Sequence, residues 1–288
     1  MKAKEEIYFR SSSAGKIMTD AQGSQLTENQ LKTLKEYQER TRLALSGNAK
    51  PLTENMKNDM LDWQARKDAP FQLSETAKGA VEDVWRFNEK GYFQQIESKY
   101  TDKGIFGEEF GFNMLTEVDG RFYTKNTKRI FKDNRTGEFD NMFTLDGKKI
   151  IQDVKCCWDT KTFMNSDFSK DYEWQGRDYM DLAEADEFWL RYCLVDCPEH
   201  LYEKEKDKIF FKYYSNSMTD VEQSDLEKQL EPLFQQLRRN LIYTDNPAYT
   251  LEERVKTFKI TRDDLIHAKY TKRIPACLDY YQTIKLNG

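Results

Sequence analysis

The sequence predicts an α/β fold built around a mixed sheet. Three observations lead there. Apolar residues recur at helical spacing through the first hundred positions. Short alternating strands separated by tight-turn signals occupy roughly 121–157. A further helical segment is then followed by an almost continuously apolar strand at 187–195. Helix, antiparallel hairpin, helix and a returning strand make an α/β core, with helical additions at both ends.

Each element has its own local signal. Thr27-Glu-Asn-Gln30 has the form of a capping box, followed by Leu31, Leu34, Tyr37, Leu43 and Leu45 on a charged background. Segments 54–66 and 75–97 read similarly, with Ser74 or Thr76 as caps and Gly47 to Pro51 and Lys67 to Pro70 as connections. Between Gly104 and Leu115 the residues Ile105, Phe106, Phe110, Phe112 and Leu115 form another helical pattern, which carries Glu108 and Glu109 with it. Strands are then predicted at 121–131, 137–145 and 149–157, with Lys132-Asp-Asn-Arg-Thr136 and Asp146-Gly147 as turns. A helix around 172–184 precedes the strand 187–195. Beyond Pro198 the chain is charge-rich and helical, with Leu226, Leu230, Leu233, Phe234 and Leu237 spaced as one helix face within 221–242. A short strand near 256–260 and a helix from about Arg262 complete the reading. With no internal repeat or low-complexity linker, one domain over 1–288 is expected: mainly helical in 1–100, the core in 100–200, and mainly helical in 200–288.

Composition narrows the function. The chain is 38% hydrophobic and 33% charged, and its 18 Phe, 16 Tyr and 5 Trp supply ample core material. A net charge of −5, from 45 basic and 50 acidic residues, excludes a globally basic nucleic-acid binder and leaves room for a local basic groove. The first residues lead into no apolar signal region, and no run approaches the length of a membrane span. Five cysteines, an odd number without framework spacing, suit a reducing cytoplasm. With only His200 and His267 present, histidine-rich zinc and histidine-metal chemistries drop out. Any metal site must be built from carboxylates, which favour hard cations such as Mg²⁺ or Mn²⁺.

The most informative stretch runs from Gly137 to Lys155. Asp146-Gly147 is a strong hairpin signal, because both central positions of a type I′ turn need positive φ. With those two residues as the loop, Leu145 faces Lys148, Met142 faces Ile151, Asp140 faces Asp153 and Glu138 faces Lys155. Side chains alternate along a strand, so Asp140, Asp153 and Lys155 share one face. Opposed carboxylates repel at that distance. A divalent cation would compensate them. Glu108 on the preceding helix is a candidate third carboxylate, and Gln175 and Tyr179, four apart, share a face of the following helix.

In this order, Gly104-x-x-x-Glu108, Gly137-x-x-Asp140, Asp153-x-Lys155 and Gln175-x-x-x-Tyr179 resemble the PD-(D/E)xK nuclease superfamily. The spacing is most similar to the lambda-exonuclease and YqaJ-type viral recombinase branch, related to the RecB nuclease domain. The resemblance covers about residues 100–200. Phe139 stands where the pattern has proline, and Asp153 takes the Asp option of the second acidic position.

The resemblance implies a restriction-endonuclease-like core with a central mixed sheet flanked by helices. It also implies a Mg²⁺-dependent exonuclease, with Mn²⁺ able to substitute, acting on duplex DNA ends in phage or prophage recombination or DNA processing. Glu108, Asp140, Asp153 and the Val154 carbonyl would then hold metal. Lys155 would position or activate water and offset transition-state charge. Gln175 would bond near the nucleophile or the scissile phosphate, and Tyr179 would pack or contact DNA. Read without the resemblance, Gln175 and Tyr179 belong to an ordinary amphipathic helix. Arg10, Ser11 and Ser13 resemble an element that grips a terminal phosphate, and helix capping by serine is the alternative. Lys125, Lys128 and Arg129, with Lys132 and Arg135 nearby, read either as DNA-backbone contacts or as a strand edge guarded by lysines. A single-strand annealing recombinase and a homo-oligomer are the implied partners. An iron–sulfur relative is disfavoured because no cysteine precedes Cys156. A DNA-end-binding or assembly protein without chemistry is the non-enzyme alternative.

Overall fold

A computed structural model describes residues 6–21, 26–69, 71–93, 98–214, 223–244 and 246–287. Its first elements are β1 (Phe9–Arg10), α1 (Ala14–Ile17), α2 (Glu28–Leu45), α3 (Glu54–Asp68), α4 (Glu75–Lys90) and α5 (Lys99–Asp119). The strands β2 (Ile130–Lys132), β3 (Arg135–Gly137), β4 (Asn141–Leu145) and β5 (Lys148–Cys156) follow. Next come α6 (Thr160–Met164), α7 (Lys170–Ala183), β6 (Glu187–Cys193), α8 (Glu199–Tyr214) and α9 (Gln223–Leu241). The chain ends with β7 (Val255–Thr261), α10 (Asp264–Thr271) and α11 (Ile274–Asn287).

Two compact units emerge. The first comprises Met1–Ile7, Ser13–Tyr92 and Ala268–Gly288. Its helix starts follow the sequence signals. Thr27 and Gln30 form the expected capping box, with Gln30 N donating to Thr27 Oγ1 at 3.2 Å and Thr27 N donating to Gln30 Oε1 at 2.9 Å. Ser74, not Thr76, caps α4 by accepting from Ala77 N at 3.0 Å. That helix stops at Lys90, short of the predicted 97, because Gly91 takes a left-handed conformation at φ +66° and closes the last turn. Residues 94–97 of that prediction, Pro70 of the predicted connection and residues 221–222 of the later one lie outside the described residues. Ala77, Ala80 and Val81 of α4 are buried, and α4 packs on α1 and α11. Arg273 donates to the carbonyls of Ile17 and Thr19 at 3.1 and 2.9 Å.

The second unit, Tyr8–Ser12 and Phe93–His267, contains both sheets. A four-stranded sheet has the order β4-β5-β6-β7, with β5 and β6 parallel and the other pairs antiparallel. A smaller sheet has the order β1-β3-β2. The central parallel pair is covered on both faces, which explains the nearly continuous apolar texture of β6. On one face Ile151, Phe188, Leu190 and Tyr192 pack with Phe139, Tyr179 and Met180. On the other, Val154, Cys193 and Val195 pack with Phe112, Met114 and Leu115 of α5.

Both predicted tight turns are present, each with two consecutive positive-φ residues: Asp133 and Asn134 at 49° and 60°, Asp146 and Gly147 at 50° and 78°. The hairpin register pairs Leu145 with Lys148, Met142 with Ile151 and Asn141 with Gln152, as Asp146-Gly147 requires. Two strand predictions need correction. Of 121–131, only 130–131 enter a ladder. The residues before them run along β4 through side-chain bonds, such as Arg121 to the Thr144 carbonyl at 3.0 Å. The strand 137–145 is broken as well: Gly137 closes β3, the chain bends at Asp140, and β4 starts at Asn141 in the other sheet. Glu138 therefore never reaches Lys155. It pairs with Arg129 at 2.8 Å. All five cysteine thiols are free, and among the described residues no helix is long and apolar enough to cross a membrane.

Candidate active site

The bend that precedes β4 also exposes a stretch of β5. Past Gln152, β5 has no β4 partner, and its edge is met by a side chain instead: Val154 N–H donates to Asp140 Oδ2 at 2.6 Å. In a strand the N–H and C=O of one residue point to the same edge, so the Val154 carbonyl also lies toward Asp140. The bend that presents Asp140 is pinned from both sides. Tyr179 Oη donates to the Glu138 carbonyl at 3.1 Å, and Gln175 Nε2 donates to Tyr179 Oη at 2.9 Å. Asn126 donates from its amide side chain to the Phe139 carbonyl at 2.9 Å and from its backbone to the Asp140 carbonyl at 2.7 Å.

Asp153 and Lys155 project from β5 on the α7 side, two residues apart and ion-paired. Asp153 is buried at 2% exposure. Burial, then the neighbouring Asp153 carboxylate, pushes the Asp140 carboxyl up to about 7, against the opposing pull of Lys155 and the Val154 N–H. Burial works against the Lys155 ammonium, yet Asp153 and Asp140 outweigh it and hold its pKa above the ordinary lysine value. The lysine is therefore a fixed positive charge in this arrangement. The ring of Tyr172 lies 5.8 Å from its Nζ. Tyr172 was not singled out from the sequence, although it sits one turn before Gln175 on the same helix face.

Glu108 comes from α5, half-buried, with Oε2 accepting from Lys125 at 2.8 Å and Oε1 buried without a hydrogen-bond partner. It lies near enough to Asp140 to raise that carboxyl further. Among the described residues, no three carboxylate, imidazole or thiol groups converge closely enough to chelate an ion as they are placed. Chemically the donors suit a hard divalent cation. They are all oxygens, one of them is buried and unsatisfied, and Asp140 is poorly served as a carboxylate.

Asp140 gives a direct pH prediction. Its folded-state pKa, about 7, lies above the ordinary 3.8, so the folded protein holds an extra proton between those values. The stability contributed is fully present below about pH 4 and is lost as pH rises through 7. Melting in EDTA should thus occur a few degrees lower at pH 8 than at pH 5, and Asp140→Asn should flatten that difference. Equal pH dependence in Asp140→Asn would remove Asp140 as its source.

Other predicted residues fall elsewhere. Tyr179 is 5% exposed and packs on Phe139 and Phe188 in the core. Gln175 bonds Tyr179 and not the Asp153–Lys155 pair. Ser11 is 1% exposed and donates to Asp178 Oδ2 at 2.7 Å, so its hydroxyl faces the interior. Ser13 precedes the four-residue α1 without making a side-chain cap bond. Arg10 is exposed, with its guanidinium 5.9 Å from the Phe93 ring centroid. Lys128 and Arg129 are exposed, and Lys125 faces Glu108. Arg135, part of the basic strand in sequence, is 1% exposed and pairs with Asp178 and Asp181 at 2.6 and 2.9 Å. That network ties β3 to α7, and only the tertiary fold reveals it.

Against solved structures, the chain is similar to a phage-related exonuclease from Haemophilus somnus 129PT. Identity is 22%, the TM-score is 0.61, and the match covers 98% of this chain and 97% of that one. This is the restriction-endonuclease-like fold. An alkaline exonuclease from Laribacter hongkongensis, free and in complex with dAMP, matches at 12% identity over 73% of this chain and 81–82% of that one. Its TM-scores are 0.45 and 0.44. No family model and no curated relative matches the sequence. In the restriction-endonuclease-like core, Asp140, Asp153 and Lys155 occupy the open end of the β4–β5 pair, with α5 on one face and α7 on the other.

Proposed function

We propose that this protein is a metal-dependent DNA exonuclease that hydrolyses phosphodiester bonds from duplex ends in phage or prophage recombination or DNA processing. The reading takes residues 1–288 as a single nuclease domain, working in the cytoplasm of a bacterial host. The observation that carries it is the gathering of Asp140, Asp153 and Lys155 where β4 begins, on a fold shared over nearly the whole chain with a phage-related exonuclease. Glu108, Asp140, Asp153 and the Val154 carbonyl would hold Mg²⁺, or Mn²⁺ in its place. Bound there, the cation would neutralise the carboxylates and polarise the phosphate.

The chain's own residues then have separate tasks. Tyr179 and Gln175 hold the bend at Glu138, and so hold Asp140 in register with Val154. Lys155, kept protonated by its two aspartates, orients water and offsets negative charge; it is not poised to remove a proton. Asp153 fixes that ammonium through the ion pair. Arg10 and Lys128 are exposed cations available to backbone phosphates, while Arg129 is shared with Glu138 and Lys125 with Glu108. A single-strand annealing recombinase and further copies of this chain are the proposed partners.

The test uses purified protein on linear duplexes bearing 5′-phosphate or 5′-hydroxyl ends, and on a closed circle, with Mg²⁺ or EDTA. Degradation of the linear forms only, abolished by EDTA, is expected. A net charge of −5 provides little general attraction to DNA, so end recognition has to be local. Arg10→Ala should therefore lower the rate on the 5′-phosphate end more than on the hydroxyl end, by about three- to tenfold if one charge-assisted contact is lost. Equal digestion of the circle would make the enzyme an endonuclease. Equal rates on both ends, unmoved by Arg10→Ala, would separate Arg10 from end recognition. End binding without cleavage would turn the reading to a non-catalytic end-binding protein.

A further inference from the structure

Helix α5 brings Glu108 to the site, and its seat on the sheet is unusually close. Lys103, Gly107 and Gly111 recur every four residues and so form one stripe along the helix. A Cβ on Gly111 would stand 3.0 Å from Val154 Cγ1 and 3.2 Å from Cys156 Sγ. On Gly107 it would stand 3.3 Å from both Cys156 Cβ and Val195 Cγ2. Cys156 Sγ also donates to the Gly107 carbonyl at 3.1 Å. An ordinary side chain at either position forces the helix or its neighbour to move by a few tenths of an ångström.

The two ends of α5 are fastened as well. Lys103 is fully buried, and its Nζ donates to the carbonyls of Trp158 at 2.9 Å and Val195 at 2.7 Å, just beyond the C-terminal ends of β5 and β6. Burial lowers its pKa to about 8. At the other end, Asp119 is ion-paired with Arg191 of β6 and accepts from Tyr123 Oη at 2.7 Å. None of these groups touches the reacting centre. Glu108 follows Gly107 directly. Val154, whose side chain meets the stripe at Gly111, gives its N–H to Asp140. One strand residue thus lies between the seat of α5 and the placement of a carboxylate.

We propose that the Lys103–Gly107–Gly111 stripe is a positioning device that fixes how far Glu108 stands from Asp140 and Asp153, with Gly111 as its most sensitive point. This rests on the reading of Glu108 as a metal ligand. Functional groups must be held to within roughly half an ångström of the productive arrangement. A displacement of a few tenths at α5 takes up most of that tolerance, and so registers in metal binding before it registers in folding.

The test compares wild type, Gly111→Ala, Val154→Ala and the double variant Gly111→Ala/Val154→Ala. Mn²⁺ binding is measured by calorimetry without DNA, beside thermal melting and the Mn²⁺ dependence of linear-duplex cleavage. Gly111→Ala is expected to weaken Mn²⁺ binding about tenfold while remaining folded. In the double variant the tightest contact is gone and only the 3.2 Å approach to Cys156 Sγ is left, so affinity should return most of the way to that of Val154→Ala alone. A Gly111→Ala protein that melts earlier but binds Mn²⁺ like wild type, or one not rescued by Val154→Ala, overturns the proposal. If Gly111→Ala does not fold, Gly107→Ala, with its looser 3.3 Å contacts, takes its place and is read by the Mn²⁺ affinity criterion. Glu108→Gln serves as the control. Unchanged Mn²⁺ affinity in that variant would remove Glu108 as a ligand, an outcome distinct from any result at Gly111.

Discussion

Replacing Asp153 with alanine is expected to abolish DNA degradation, on the order of 10³-fold or more, and to weaken Mn²⁺ binding in parallel. Asp153 stands at the centre of the arrangement. It is buried, paired with Lys155, and close enough to Asp140 to lift that carboxyl toward neutrality. Asp140→Ala should have a similar effect on activity, with an added structural one, because it also releases the Val154 N–H at the free edge of β5. Both variants should stay folded, since the cores on the two faces of β5 and β6 remain intact. Circular dichroism, Mn²⁺ calorimetry and a linear-duplex assay on the same preparations check this. Full nuclease activity in a verified Asp153→Ala protein would sink the assignment.

Lys155→Ala should separate metal binding from turnover. The lysine is a cation, so it cannot be a ligand, and in the metal-free protein it competes for the Asp153 carboxylate. Metal affinity is therefore expected to hold or rise slightly. Single-turnover cleavage should fall by ~10²–10³, the usual loss for one preorganised charge. Lys155→Arg should recover little, because a planar fork does not replace a compact ammonium beside a buried carboxylate. A variant that loses metal and activity together would contradict this division of roles.

Where the sequence was legible, the determinants were local. Asp146-Gly147 sets the β4–β5 register because only a type I′ turn accommodates two consecutive positive-φ residues, and the two-residue period of a strand then places Asp153 and Lys155 on one face. Thr27 and Ser74 mark helix starts because a hydroxyl three residues before a free N–H is enough to cap it. The apolar run at 187–195 reads as a strand, and β6 forms within it.

Tertiary packing decided the rest, because it joins residues that carry no mutual signal along the chain. Ser11 reads as an exposed hydroxyl beside an arginine until Asp178, 167 residues away, claims it. Arg135 looks like one more surface cation until Asp178 and Asp181 bury it. The switch between sheets at 138–140 follows Gly137, which lies where a Cβ would strike Ser11, Tyr179 and Leu182, contacts set by α7 and by the turn after β1. The sequence by itself determined the turn register, the helix caps and the order of the candidate acids, since each rests on backbone geometry within a few residues. Only the tertiary structure decided which side chains are buried, how closely α5 approaches the sheet and where Glu108 stands, since those depend on contacts between segments whose spacing in the chain says nothing of their distance in space.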